Sequence, residues 1–236
     1  MKQMKPTMAP NTLQTFTAFY SDWLHRHHHL QQQLSSTISQ LHNTKHHQLE
    51  KLVQQASDHY RQYYQQKSSA IETDIFLICS PPWYTSFEQA LFWVTEYPPS
   101  LLLRFVTDLN LTPDQLHRVE CVKMESLKKE RRIGDSMAMV QESVAALPLY
   151  GLVNRTGRLV DGEVSELDDV MEEAKETMRV VVMEADGLRG TVVMEVLKVL
   201  NVVQRVKFFA AVGEFRIRAR RVGLQIDRDR GVMMME

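Results

Sequence analysis

The chain has 236 residues, with 28 Lys+Arg against 29 Asp+Glu and a formal charge of -1. A hydrophobic share of 44% suits a soluble globular protein with room for a sizeable core, and the near-neutral charge argues against bulk electrostatic capture of nucleic acid. Two cysteines exclude a disulfide scaffold, no apolar run approaches the roughly 18–20 residues that span a bilayer, and Met1 to Pro10 lack the apolar core of a signal peptide.

Leu13, Phe16, Phe19, Tyr20, Trp23 and Leu24, continued by Leu30 and Leu34, recur at three and four and predict a helix over 12–34, preceded by disordered residues 1–11. Ile38, Leu41, Leu49, Leu52, Val53, Ala56, Tyr60, Tyr63 and Tyr64 predict a second over 37–67, where Ser68-Ser69 dissolve the pattern. The proline pairs Pro81-Pro82 and Pro98-Pro99 bracket an aromatic segment, giving expected helices over 83–95 and 99–109. Thr112-Pro113-Asp114-Gln115 is a capping box with proline in the first turn, and opens a helix over 112–147 that Pro148 ends. A polar loop from Gly151 to Gly162 follows. Val180-Val181-Val182 has strand composition, but Leu167, Val170, Met171, Ala174 and Met178 carry helical spacing into it, so 163–186 is read as helix, then 190–200. Asn201 to Gln204 is a second capping box, opening 202–221, and residues 224–236 read as a flexible tail. The expected fold is all-α, a multi-helix bundle of about eight helices with no sheet. Its domain is 12–223, divisible into 12–110 and 111–223.

Residues 161–186 hold ten acids, and beyond Gln204 eight Lys+Arg face four acids, so the two segments can pair with each other. His25, His28 and His29 share a helical face and His42 with His46 is an i,i+4 pair; among glutamines and without an acidic second shell, they read as polar surface and not as a metal site. No phosphate-cradling glycine loop, His-Glu-x-x-His, Cys-x-x-Cys or Gly-x-Ser-x-Gly is present, so no catalytic residue is assigned. Cys79 and Cys121 read as buried, inert thiols. Trp23, Trp83, Tyr84, Phe87, Phe92, Trp93 and Tyr97 have two readings, a packed core or a groove for a ligand or peptide. Trp83, Tyr84 and Trp93 are the groove candidates.

The stretch His59-Tyr60-Arg61-Gln62-Tyr63-Tyr64-Gln65-Gln66-Lys67, then Asp74, then Pro82-Trp83-Tyr84-Thr85-Ser86-Phe87-Glu88-Gln89-Ala90-Leu91-Phe92-Trp93, resembles the plant delay-of-germination (seed dormancy control) domain. That domain also forms the C-terminal part of TGA-type bZIP transcription factors. Downstream, Met137-Ala138-Met139-Val140-Gln141-Glu142 is similar to the family's Met-Ala-x-x-Gln-Glu. Ala185-Asp186-Gly187-Leu188-Arg189 resembles its Ala-Asp-x-Leu-Arg, and Phe208 to Gly223 its Phe-x-x-Ala and Arg-x-x-Gly tail. One departure stands out: the family's Gly-Gly after the second tryptophan is replaced by Val94-Thr95.

The resemblance implies a helical regulatory protein without catalysis, acting in seed dormancy, seed maturation and abscisic-acid signalling by binding type 2C protein phosphatases, in nucleus and cytoplasm. The family's Tyr-x-acid-Trp motif, associated with that binding, is matched by Tyr20-Ser21-Asp22-Trp23, so Tyr20, Asp22 and Trp23 are the partner-binding candidates. Tyr20 and Trp23 are equally an i,i+3 core pair, and a docking role requires part of their aromatic surface to be open. Kinship with TGA factors suggests a transcriptional co-regulator that reaches DNA through a partner transcription factor. Direct DNA binding is not expected, since no basic region or zipper precedes residue 12. A haem or lipid sensor is a further alternative. Family members linked to haem use C-terminal histidines, and none follows His117 here, so no cofactor is assigned.

Overall fold

A computed structural model describes residues 10–145 and 161–231; residues 1–9 of the disorder predicted at 1–11, most of the polar loop before 161 and the last five residues lie outside them, whereas residues 10 and 11 are helical against that expectation. Among the described residues there are eight α-helices and no strand. They are α1 (Pro10–Ser39), α2 (His46–Thr73), α3 (Ile75–Cys79), α4 (Ser86–Ala90), α5 (Pro99–Arg104), α6 (Pro113–Ala145), α7 (Asp161–Val199) and α8 (Val202–Asp229), with a 3-10 turn at Leu41–Asn43.

Two antiparallel hairpins organise the molecule. In the first, α1 and α2 run past each other, with Arg26 bonded to Gln62 and Gln33 to Gln55. In the second, α6 and α7 pack along their lengths, Gln115 reaching the Val199 carbonyl at one end and Arg132 facing Glu184 further along. Helix α8 lies against α1, α2 and α4, while α5 bridges α6 and α7. One buried core contains Phe16, Trp23 and Tyr63 from the first half of the chain and Val182, Val196 and Phe208 from the second.

Both capping boxes form. Thr112 Oγ1 accepts from the Gln115 amide and Gln115 returns to the Thr112 amide, and Asn201 and Gln204 make the same exchange. Val180 to Met183 is helical. Several boundaries differ from the sequence reading. Helix α1 extends to Ser39 and the chain breaks there, so His42, in the 3-10 turn, and His46, opening α2, do not share a helix. Helix α2 continues through Ser68-Ser69, whose turn carries Ala70 and Ile71 into the core, and the Ser69 and Thr73 hydroxyls bond back to carbonyls four residues earlier. The expected helix over 83–95 shrinks to α4, and that over 99–109 to α5. Conversely, the two helices expected over 163–186 and 190–200 are one, continuous through Gly187 and Gly190. Residues 224–229 belong to α8 and not to a tail: Asp227 is buried and accepts from the backbone amide and hydroxyl of Ser86.

Candidate functional site

Helix α1 buries Phe16, Tyr20, Trp23, His27, Leu30 and Leu34, alternating steps of four and three along one face. Tyr20 is 3% exposed and Trp23 1%. Trp23 stacks on His27 at 4.9 Å and on His59 at 4.5 Å, and its indole N–H donates to the His59 carbonyl at 3.1 Å. His27 Nδ1 meets His59 Nε2 at 3.2 Å. Burial first, then the positive charge of Arg216, holds His27 down to about 3. Burial, then Arg26, holds His59 down to about 4, so both rings are neutral at physiological pH. The Tyr20 ring meets the edge of Tyr84 at 5.2 Å and lies under the Arg220 guanidinium.

Asp22 points the other way. Its carboxylate is 69% exposed and lies 3.2 Å from Arg26. The Tyr-x-acid-Trp motif is therefore split by the helix: both rings are core, and only the carboxylate faces solvent. The open aromatic surface that docking through Tyr20 and Trp23 would need is missing in this conformation.

Beneath these rings lies a buried polar layer. Glu96 accepts 2.5 Å hydrogen bonds from the Tyr63 and Tyr84 hydroxyls and pairs with Arg216 at 2.6 Å. Burial by itself would raise its pKa, but Arg216, Lys67 and Arg189 outweigh burial and hold it down at about 2. Lys67, itself buried, donates to Asp186 at 2.9 Å and to the Thr95 hydroxyl at 3.0 Å. Arg189 binds the Val94, Glu96 and Tyr97 carbonyls and pairs with Asp186 at 2.6 Å, clamping the segment between α4 and α5 onto α7. Arg220 donates to the Trp83 carbonyl at 2.9 Å. Gly223 lets α8 pass so close to α4 that an added Cβ would lie 2.0 Å from Thr85 Oγ1.

The aromatic candidates fare similarly. Trp83 and Tyr84 are buried and line no open groove; Trp93 is half-buried beneath Arg189. Among the open features of the described residues, two of the largest lie elsewhere. An apolar groove of about 360 Å³ between α2, α7 and α8 is walled by Tyr60, Tyr64, Met194, Leu197, Phe208 and Phe209. The Tyr60 hydroxyl is buried there without a hydrogen-bond partner. A wider polar cleft of about 620 Å³ between α1 and α2 is bordered by His25, Arg26, His29, Asp58 and His59. No group of three His, Cys, Asp or Glu among the described residues is placed to hold a metal ion. Cys79 is half-buried, its thiol pushed up to about 11 by burial, whereas Cys121 is exposed, against the expectation of a buried thiol. The acidic and C-terminal basic segments do not pair as expected in the described residues: Arg179 takes Glu172 and Glu176 on its own helix, while Arg216 and Arg220 take Glu96 and Glu88.

The residues that carry the family resemblance thus hold the fold together: Asp186 and Arg189 anchor the polar layer, Tyr63 and Tyr84 bind Glu96, Arg220 and Gly223 seat α8. A family model described as seed dormancy control, DOG1, matches residues 28–108. Protein ZW2 of Arabidopsis thaliana is 34% identical over 218 residues, covering 89% of this chain and 97% of that protein. The chain belongs to the DOG1 family. Protein RESPONSE TO ABA AND SALT 1 of Arabidopsis thaliana is 33% identical, over 89% of this chain and 96% of that one. Transcription factor TGA7 from the same plant is 27% identical over 91% of this chain but only 57% of its own length. This DOG1 family is regulatory and is not a known enzyme family. No described helix is long and apolar enough to cross a membrane.

Sequence reasoning missed His27, His59, Lys67, Glu96 and Arg216. For His27 a signal existed, since it stands four residues after Trp23 and three before Leu30 on the apolar stripe. For the charged residues no local pattern announces burial.

Proposed function

We propose that this DOG1-family chain is a non-catalytic adaptor in seed dormancy, seed maturation and abscisic-acid signalling, working in nucleus and cytoplasm by binding type 2C protein phosphatases. The observation that carries the reading is the split motif on α1. Trp23 and Tyr20 fix the helix against the core, and Asp22 is presented to solvent beside Arg26. A partner reads that charged face, with the buried rings setting its position. The printed name of the relative responsive to ABA and salt accords with this role. Affinity purification from developing seeds tests it: type 2C phosphatases should be retained by the chain, and their absence would contradict the proposal.

A second reading rests on the groove between α2, α7 and α8. Its apolar walls and the unpartnered Tyr60 hydroxyl suit a small apolar ligand with one polar group, which would make the protein a sensor. Mass spectrometry of the purified protein under native conditions distinguishes the two, because an adaptor alone retains no small molecule. The likeness to TGA7 supports a third role, co-regulation of transcription through a DNA-binding partner without direct DNA contact.

A further inference from the structure

The fold gives the histidines at 25 and 27–29 of α1 different places. His27 is buried against His59. His28 lies close to Arg220 and Arg221 of α8, whose charges oppose a cation. His25 and His29 are exposed, one helical turn apart, and both border the polar cleft of about 620 Å³ between α1 and α2. Of the three histidines that the sequence puts on one face, the structure thus leaves an i,i+4 pair. His25 Nδ1 is 2.9 Å from the Ser21 carbonyl. A carbonyl oxygen only accepts, so Nδ1 holds the proton and Nε2 keeps its lone pair. Histidines that bind metals are oriented in this way, the second ring nitrogen donating to a carbonyl or carboxylate. Among the described residues His29 has no hydrogen-bond partner, so its ring is free to turn toward the same ion. The arginines nearby are compensated: Arg26 pairs with Asp22 and holds Gln62, and Arg61 pairs with Asp58.

We propose that His25 and His29 form a binding site for a divalent transition-metal ion of the imidazole-preferring class, Cu(II) above all. Side chains four apart on a helix have Cβ atoms about 5–6 Å apart, which lets two imidazoles meet one ion. Imidazole suits copper, nickel and zinc, and copper heads the affinity order. No third His, Cys, Asp or Glu among the described residues is placed to complete a cage, so water takes the remaining positions. Two nitrogens with water in a plane match the tetragonal geometry of Cu(II), whereas a structural zinc site takes four protein ligands. An ion held this way exchanges with solvent. It also staples one turn of α1, because the unfolded chain does not keep the two rings at this spacing. The site stands independently of the phosphatase reading, although Asp22 and Arg26 lie on adjoining turns.

The test is titration of the full chain with Cu(II), followed by electron paramagnetic resonance. The chain carries Cys121→Ser, which removes an exposed thiol able to reduce the metal. That change also breaks the competing pair of His117 and Cys121, whose Nε2 and Sγ are 3.9 Å apart. One equivalent should give a tetragonal spectrum with coupling to two nitrogens, and the melting temperature should rise with it. His25→Gln and His29→Gln should each remove one nitrogen's coupling and leave the circular dichroism of the metal-free chain unchanged. Each should weaken binding more than about tenfold, the loss that follows removal of even an outer-shell partner. His28→Gln should bind as the parent does. Copper held with full affinity after both His25 and His29 are changed to Gln would overturn the proposal. So would a parent that binds copper no more tightly than that double variant, and a loss on His28→Gln as large as on His29→Gln would overturn the assignment of the pair.

Discussion

The Arg216 guanidinium meets the Glu96 carboxylate at 2.6 Å while lying within 5.9 Å of the ring centres of Trp23, Tyr60, Tyr63 and Tyr97. This pair joins α8 to the segment between α4 and α5, with the α1 and α2 aromatics packed around it. Replacing one partner leaves the other charge buried and uncompensated, which costs about 3–5 kcal/mol. Glu96→Gln should therefore lower the free energy of urea unfolding by about that amount. A loss below about 1 kcal/mol would show that the layer is hydrated or can rearrange.

Thr95 stands at φ 56°, in the left-handed region, and its hydroxyl accepts from Lys67 at 3.0 Å. Two opposing effects meet at one residue: backbone strain of about 1 kcal/mol and a charge-assisted hydrogen bond of about 1.5–3 kcal/mol. Thr95→Ala loses the bond and keeps the strain, so it should be the less stable variant. Thr95→Gly loses both and should lie about 1 kcal/mol above Thr95→Ala in denaturant unfolding. Equal stabilities would remove strain from the account.

Gly223 carries a steric prediction. Gly223→Ala would set a methyl carbon against the Thr85 hydroxyl and Cβ, inside the capping box that starts α4. Thermal unfolding should show a loss of about 1–3 kcal/mol, despite alanine's better helix propensity. A gain in stability would mean that α8 and α4 separate freely.

Acid should destabilise the protein through His27. Its folded pKa of about 3 lies below the ordinary 6.5, so between those values the unfolded chain binds a proton that the native one refuses. Stability then falls as pH drops below 6.5, by roughly 1.4 kcal/mol per pH unit for one such proton. His59 adds to the slope in the same direction. Glu96 adds a further loss from its ordinary 4.5 down to about 2, since its paired carboxylate stabilises the fold only while ionised. His27→Gln should flatten the slope of unfolding free energy between pH 6 and pH 4, whatever it does to stability at neutral pH. An unchanged slope would place the titrating group elsewhere.

Much of the fold is legible in the sequence because it is local. The stripe through Phe16, Tyr20 and Trp23 and the boxes at Thr112 and Asn201 depend on residues within a few turns, and the helices follow. Errors arise where tertiary packing overrides local signals. Gly187 and Gly190 suggest a break, but packing of α7 along α6 carries the helix through. Trp83 to Trp93 looks helical by composition, yet Arg189 holds the chain after Trp93 in a turn through its carbonyl groups. The buried ions were hidden for the same reason. Lys67, Glu96, Asp186, Arg189 and Arg216 are scattered over 150 residues of sequence, and only the fold brings their charges together. In the Tyr-x-acid-Trp motif, spacing alone indicated a core pair as readily as a docking site, and the structure puts both rings in the core while leaving Asp22 outside.

The proposed adaptor role is tested most directly by calorimetric titration of a purified type 2C phosphatase with the wild-type chain and with Asp22→Ala. Asp22 is largely exposed and pairs with Arg26, so its removal should leave the melting temperature nearly unchanged, as expected of an exposed ion pair worth about 0–1 kcal/mol. The account predicts measurable binding by wild type and an affinity at least about tenfold weaker for Asp22→Ala, equivalent to about 1.4 kcal/mol. Equal affinities would remove the carboxylate from the interface, and no binding by the wild-type chain would contradict the phosphatase proposal itself.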